Sequence, residues 1–414
     1  MKPRFRLRPM KLPGLYFILF LFMTLDELFS LDNLNEAFYE CIKDGHWKES
    51  THKYWANLLQ NNLQLRKEIL DGTYRVSQLV RFTIHERGKI RRIEAPAMRD
   101  RIVQKVICMK VLIPQITPYL IYDNYASLKH RGTSLARKRL EIDLMEYIAE
   151  YGDDGCVLLI DIHDYFGSIN VKRVEEQIHE HVKESAEVLN FIDYCIEASS
   201  HGDNGLNLGA EIPQICAVFY LYRLDDWIKI VQGEKAYGRY MDDIRCIVRD
   251  KDRAATLLRE AVKIIHSEGL EINEKKTQIV KLSHGFTYLQ TKYNVDGNRL
   301  ITRPTHDKIT RERRRLKKQR KLVDEGRASE KDVFLWYMSW RNELLADYNS
   351  CWKTIQSMDK EFYALFKPAP GHEKKSREEL IEKAFREAEY EDLQHYWRGI
   401  DGTPGLFEGP PFAG

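Results

Sequence analysis

Apolar positions change their spacing several times along the chain, and each change predicts a different element. From residue 24 to 75 they recur at helical intervals, as at Leu28, Leu31, Leu34 and Phe38. Thr24, followed three residues later by Glu27, supplies a capping box for the first helix. The spacing shifts to alternation at Val80-Arg81-Phe82-Thr83-Ile84, breaks at Glu86-Arg87-Gly88 and resumes at Ile90-Arg91-Arg92-Ile93, which predicts a basic β-hairpin. Arg99 to Leu120 carries a mostly apolar helix, expected to end near Pro114 and Pro118.

The middle of the chain is more apolar. Cys156-Val157-Leu158-Leu159-Ile160 is a continuous run ending in Asp161, the signature of a strand buried on both faces. Tyr240 to Val248 is a second such element, interrupted by Asp242 and Asp243. Pro213-Gln214 opens a helix running to about Lys229, with the proline in the turn that tolerates it. From about Thr302 to Phe366 the chain is helical and basic, then aromatic-rich at Phe334, Trp336, Tyr337 and Trp340. Pro368-Ala369-Pro370-Gly371 reads as a linker, Ser376 and Glu379 cap a helix to about Trp397, and the Gly- and Pro-rich end is loose. The expectation is an α+β chain divided at 1–22, 23–300, 301–366 and 367–414.

At 414 residues and 43% hydrophobic, the chain can bury a full core and should hold two or three structural units. The net charge of +3 hides segregation: Arg303 to Lys321 holds ten Lys or Arg against two acids, whereas Glu373 to Trp397 leans acidic. Seven cysteines lie singly, without a Cys-x-x-Cys pair or a His at metal-ligand spacing, which favours reduced thiols in a cytosol over a disulfide or zinc scaffold. Five basic residues from Lys2 to Lys11 precede the apolar run Leu15 to Met23. That run is too short to span a bilayer and no small-residue cleavage site follows it. It reads as a leader translated upstream of a start at Met23, with membrane association as the other reading.

The candidate chemistry lies in the acids. Two divalent ions about 4 Å apart can lower the pKa of an attacking oxygen and stabilise the leaving one in an in-line displacement at phosphorus. Hard ions such as Mg²⁺ want oxygen ligands, and the protein need supply only a few carboxylates from rigid places. Asp242 and Asp243 at a hairpin tip, with Asp161 at the end of a buried strand, answer that need. Taken alone, the Asp-Asp pair is equally a solvent-exposed turn.

The order of the surrounding blocks decides between those readings. Tyr240-Met241-Asp242-Asp243 resembles the catalytic tetrapeptide of reverse transcriptases, and the resemblance extends over about residues 25 to 365. Asp161-Ile162-His163-Asp164-Tyr165-Phe166-Gly167-Ser168-Ile169 looks like that family's motif A. Leu208-Gly209-Ala210-Glu211-Ile212-Pro213-Gln214 resembles motif B, Gly269 to Thr277 motif D, Gly285-Phe286-Thr287-Tyr288-Leu289 the primer-grip hairpin, and Lys89-Ile90-Arg91 the fingers segment over the triphosphate.

The resemblance implies a right-hand polymerase with fingers and palm over 23–300 and a helical thumb over 301–366. It implies Asp161, Asp242 and Asp243 as catalytic residues, holding two Mg²⁺ ions, with Mn²⁺ as a substitute, and Ile162 beside them in the metal set. Lys89, Arg91, Tyr165, Phe166, Gly209, Gln214 and Lys276 fall on the nucleotide. Phe166 is placed as the sugar gate, whose bulk would reject a ribose 2′-hydroxyl and so select dNTPs; an ordinary core aromatic is the alternative. Phe286, Tyr288 and Leu289 fall on the primer. Arg311, Arg313, Arg314, Arg315, Lys317 and Lys318 would track duplex phosphates, unless they form a solvated helix face. Lys275 and Arg92 are expected to face water, and Arg101 to be an ion-pair residue or a template contact.

The implied partners are an RNA template, a DNA or RNA primer and dNTPs, in the cytoplasm of a bacterium, with oligomerisation left open and no stable membrane partner. Met241 and Phe166 speak against an RNA-dependent RNA polymerase, which favours Gly-Asp-Asp and a second acid in motif A. A non-catalytic RNA-binding relative would be expected to have lost a carboxylate. Pro213-Gln214 departs from the forms usual in group II intron and diversity-generating enzymes. That tilts the expectation toward a defence-associated enzyme copying a dedicated non-coding RNA. Diversity-generating, template-independent and protein-primed synthesis remain as alternatives.

Overall fold

A computed structural model describes residues 22–366 other than 44, 46, 47, 87 and 88, and the side chains of these apart from 85, 86 and 89. The expected leader, linker and C-terminal helix lie outside the described residues. Among the described residues, those up to Thr305, with Asp347–Ser350, form one unit; His306–Ala346 and those from Cys351 to Phe366 form a second.

The first unit opens with α1 (Leu25–Leu28), α2 (Leu31–Ile42), α3 (Glu49–Trp55) and α4 (Leu58–Leu70). The expected capping box is present: the Glu27 N–H donates to the Thr24 hydroxyl, and Glu27 accepts from the Thr24 N–H. α2 buries Leu34, Ala37, Phe38, Cys41 and Ile42 along one face. The hairpin of β1 (Val80–Glu86) and β2 (Lys89–Ala95) follows in the register Phe82 to Ile93 and Ile84 to Arg91.

The next helix does not stop near Pro114. α5 (Met98–Ile107) passes into a π-helical turn (Cys108–Leu112) and then α6 (Ile113–Ile116), with Pro114 in its first turn. A wider π turn accommodates a residue that has no N–H to give to the preceding carbonyls. The helix ends at a short 3₁₀ turn, Thr117–Tyr119, which holds the second proline. After α7 (Thr133–Tyr151) come β3 (Cys156–Asp161), α8 (Tyr165–Ser168), α9 (Val171–His181) and α10 (Ala186–Glu197).

The helix expected from Pro213 to Lys229 begins at Glu211 and is interrupted. α11 (Glu211–Tyr220) breaks at Leu221, resumes as α12 (Tyr222–Asp226) and ends in a π-helical turn to Val231. Tyr240 to Val248 belongs to a hairpin in which β4 (Tyr237–Tyr240) and β5 (Asp243–Val248) enclose a two-residue loop. Then follow α13 (Lys251–Ser267), β6 (Gln278–Lys281), β7 (Phe286–Tyr288), β8 (Thr291–Asp296) and β9 (Arg299–Pro304).

β3 is central in an antiparallel four-stranded sheet of order β4-β5-β3-β6, and all six of its residues are buried. Its apolar run has a simple cause, because successive side chains enter two different cores. Cys156, Leu158 and Ile160 join the large core with the helices, whereas Val157 and Leu159 join a second core with α7 and the β7-β8 strands. β5 does the same, with Ile244, Cys246 and Val248 on one side and Ile247 on the other.

On the second face Arg245 is fully buried. Its Nη1 lies 2.5 Å from Asp143 of α7, and its Nη2 donates to the Tyr125 hydroxyl. Gly238, opposite Arg245, leaves the room: a Cβ there would stand 2.8 Å from the Tyr125 ring. All seven cysteines are buried as free thiols. Among the described residues no helix is long and apolar enough to cross a membrane.

The second unit consists of α14 (His306–Asp324), most of α15 (Glu330–Asp347) and α16 (Trp352–Leu365). Tyr337 stacks on Phe362 at 4.2 Å and donates to Asp359, which also accepts from Arg341.

Removing one member of the buried Arg245–Asp143 pair strands a charge. Arg245→Met should therefore lose about 3–5 kcal/mol in urea unfolding, and Arg245→Met with Asp143→Leu should recover most of it. Equal losses in the single and double variants would show that the pairing is not what holds this face.

Candidate active site

The acids meet because of strand register. Asp161 is the last residue of β3 and Asp243 the first of β5, and they are directly opposed partners across the antiparallel ladder. Like charges in that relation destabilise a sheet. Asp242 is next to them in the β4-β5 loop, half-buried, and its carboxyl is pushed above the ordinary 3.8, first by desolvation and then by the charge of Asp161. Lys276 and Arg91 act in the opposite sense.

Lys276 supplies the nearest positive charge. Its Nζ lies 2.6 Å from Asp161 Oδ2. Burial by itself would lower the Lys276 pKa, but the bond to Asp161 and the charges of Asp161, Asp243 and Asp242 outweigh it and raise it. The loop carrying Lys276 also holds the Asp161 backbone: the Asp161 N–H donates to the Thr277 hydroxyl, and the Asn273 N–H donates to the Asp161 carbonyl at 2.7 Å. Lys275, one residue away, is exposed.

The β4-β5 loop is strained. Met241 has φ +53 and Asp242 does not follow it into positive φ. In two-residue hairpins with that pattern the first position prefers glycine. Three consecutive carbonyls of the turn are nevertheless held from three directions. Met241 accepts from Arg239 of β4 at 3.2 Å, Asp242 from the Ile162 N–H at 3.3 Å, and Asp243 from the Tyr288 hydroxyl at 3.4 Å.

Arg239 is itself fully buried. It forms a two-pronged pair with Asp225 of α12, Nε to Oδ1 at 2.8 Å and Nη2 to Oδ2 at 2.7 Å, and donates to the Val218 carbonyl of α11. Tyr237 and Asn124 also donate to Asp225. Sequence reasoning missed Arg239, Asp225, Asn124 and Thr277. Tyr237-Gly238-Arg239-Tyr240 gives no local sign that the arginine is buried, since the partners that satisfy it come from distant parts of the chain.

The other expected residues divide. Gly209 has φ +112, and a Cβ there would come within 2.9 Å of Ile93 and 3.2 Å of the Glu94 carbonyl. Its close approach is therefore to the β1-β2 hairpin, which the Glu94 N–H also joins to the Leu208 carbonyl at 3.0 Å. Gln214 is half-buried in the first turn of α11, and Phe166 is half-buried in α8, its ring edge-on to Tyr165 at 5.9 Å. Arg91 is half-buried and Arg92 exposed; the Lys89 side chain lies outside what is described.

Several expected site residues have packing roles of their own. The Tyr165 ring is buried and its hydroxyl donates to the Ala217 carbonyl at 2.6 Å, which ties α8 to α11. The Ile162 side chain is buried in the large core, so the only oxygen this residue has to offer a cation is its backbone carbonyl. Phe286 and Tyr288 belong to the second core, Phe286 stacked on Tyr293. Only Leu289 of that group is half-exposed, in a turn where it and Gln290 both have positive φ.

Arg101 donates to the Cys41 carbonyl, a structural bond. On α14, Arg311, Arg314, Arg315, Lys317 and Lys318 are exposed, whereas Arg313 is drawn inward to Glu361 and Ser357.

Three hard oxygen donors around one ammonium suit a divalent cation chemically. Among the described residues no three His, Cys, Asp or Glu side chains are yet drawn to ligand distances; Lys276 takes one Asp161 oxygen instead.

Residues 83–293 match the family model described as reverse transcriptase (RNA-dependent DNA polymerase). No curated protein matches the chain. Similar solved structures include telomerase from Candida albicans in complex with the TWJ fragment of telomeric RNA, with 13% identity, 69% of this chain and 57% of that one covered, and a TM-score of 0.43. Apo telomerase from Candida tropicalis, truncated from its C-terminal domain, has 12% identity, 60% of each chain covered and a TM-score of 0.40. The chain thus spans less than two thirds of the length of these relatives.

Because Asp242 is held above its ordinary pKa, its contribution to stability is fully present below the unfolded value and is lost as pH rises through the folded one. In metal-free buffer at pH 7, Asp242→Asn should melt higher than the wild type by on the order of 2 °C, with the difference shrinking toward the carboxylate range. A lower melting point for the variant at pH 7 would reverse that sign.

Proposed function

The chain belongs to the reverse transcriptase family, and from that premise we propose that it is an RNA-directed DNA polymerase, adding dNTPs to a primer 3′ end with Asp161, Asp242 and Asp243 as its catalytic carboxylates. The observation that carries the reading is the direct opposition of Asp161 and Asp243 beside Asp242 and Lys276. A sheet gains nothing from that arrangement, and a cation site does.

Mg²⁺ bound by these acids, as two ions or with Mn²⁺ in its place, would lower the pKa of the primer hydroxyl and neutralise the triphosphate. The protein's own groups do the positioning. Lys276 would exchange its bond to Asp161 for the leaving pyrophosphate once a metal takes that oxygen. Arg91, whose charge already acts on Asp242, would meet the triphosphate from the fingers hairpin, with Lys89 beside it. Phe166, within motif A and edge-on to the Tyr165 ring, would stand against C2′ of the incoming sugar. Gly209 and Gln214 would shape the floor under the base pair, with the glycine required by the hairpin that rests on it.

Leu289 would touch the primer from its strained turn. The exposed cations of α14, in the thumb, would bind duplex phosphates without regard to sequence. For the template we favour a dedicated non-coding RNA copied in defence against phage, with Pro213-Gln214 as the supporting feature.

The purified protein, given a divalent metal, dNTPs and a DNA primer annealed to RNA, should extend the primer, and Asp242→Ala with Asp243→Ala should abolish extension. Normal synthesis by the double variant would refute the site. Phe166→Val should raise ribonucleotide incorporation by about tenfold or more; unchanged sugar discrimination would remove Phe166 as the gate.

A further inference from the structure

The large core encloses one cation whose bonding exceeds what an ion pair needs. Arg239 and Asp225 are 0% and 1% exposed at their side chains. Burying such a pair is weak grounds for stability, because well-packed apolar residues of the same volume serve as well or better. What apolar residues cannot supply is direction. The guanidinium is planar and carries five donors in a fixed fork. Here two of its bonds go to Asp225, one to the Val218 carbonyl of α11 and one to the Met241 carbonyl. Asp225 is fixed in turn by Tyr237 and by Asn124, and Asn124 also donates to Val218.

The arginine's own backbone is pinned. Its N–H donates to the Asp123 carbonyl at 3.0 Å, and its carbonyl accepts from the Tyr125 N–H at 2.9 Å. The donor that reaches Met241 therefore starts from a base with little freedom. It ends on the one residue of the acidic turn with positive φ, immediately before Asp242 and Asp243. The other two carbonyl anchors, from Ile162 and Tyr288, act one and two residues further on.

We infer that Arg239, locked by Asp225, is a positioning residue for polymerisation: its bond to the Met241 carbonyl sets the strained turn and so places Asp242 and Asp243 for the divalent cation. The inference rests on the polymerase reading for its catalytic consequence. It also ties the turn to α11, the helix that carries Gln214, through Val218. A shift of α11 would then reach the acids through one side chain.

The test compares three forms of the full chain. In Arg239→Met with Asp225→Leu both charges leave together, so no ion is stranded in the core. This double variant should melt near the wild type and bind primer–template normally. Its single-turnover rate of dNTP addition should fall by about 10- to 100-fold, and its Mn²⁺ affinity by electron paramagnetic resonance should weaken by about 10-fold or more. Arg239→Lys keeps a charge for Asp225 but lacks the fork that reaches Met241, so its rate and Mn²⁺ affinity should remain low. A purely structural pair would predict the reverse: recovery by lysine, and a double variant with wild-type rate and Mn²⁺ affinity. Either result overturns the inference. If wild-type protein adds no dNTP, the polymerase reading fails, while the Mn²⁺ comparison still decides whether Arg239 places the acids.

Discussion

Asp161 and Asp243 face one another across neighbouring strands, at positions where a sheet ordinarily places opposite charges or apolar side chains. Their repulsion is the constraint around which this part of the chain is organised. Lys276 leans on Asp161, and the loop that carries it also binds both backbone groups of Asp161. Asp242 lies in a tight turn whose successive carbonyls, Met241 to Asp243, accept from Arg239 of β4, from Ile162 just beyond β3 and from Tyr288 of β7. Lys276 offsets part of that repulsion, while the backbone bonds leave the acids no room to move apart.

The strand hairpin bearing two of the acids is held on both faces by a buried arginine. Arg239 is paired with Asp225 on the helical side, and Arg245 with Asp143 on the side of α7. Residues 243, 245 and 247 share a face by the period of a strand, so the Arg245 pair lies directly behind Asp243. Apolar packing alone would hold such a hairpin against the core but would leave its register and tip less specified. Directional bonds fix where the turn ends, which is what a reaction sensitive to small displacements requires.

Much of this was legible in the sequence where local chemistry decides the outcome. The capping box at Thr24, the basic hairpin and the buried strand ending at Asp161 follow from spacing and residue type, and each forms as expected. The fold class follows as well. What the sequence hid is mostly long-range. Arg239 and Arg245 carry no local mark of their burial, and only tertiary structure reveals Asp225 and Asp143 as their partners. Phe286 and Tyr288 alternate with an exposed threonine, a pattern that shows one face is buried but not that their side chains enter the core instead of meeting a ligand. Pro114 misled for a different reason, since a π turn relieves the clash that usually ends a helix. Arg313 looks like its exposed neighbours on α14 until Glu361 is seen beside it.

The central claim is that Asp161, Asp242 and Asp243 make one divalent-cation site. Anomalous diffraction from crystals of the full chain soaked in Mn²⁺ tests it most directly. The account predicts a manganese peak bounded by these three carboxylates, with Lys276 displaced from Asp161, and its loss in Asp161→Asn. A peak elsewhere, or none here in protein that copies RNA, would contradict it.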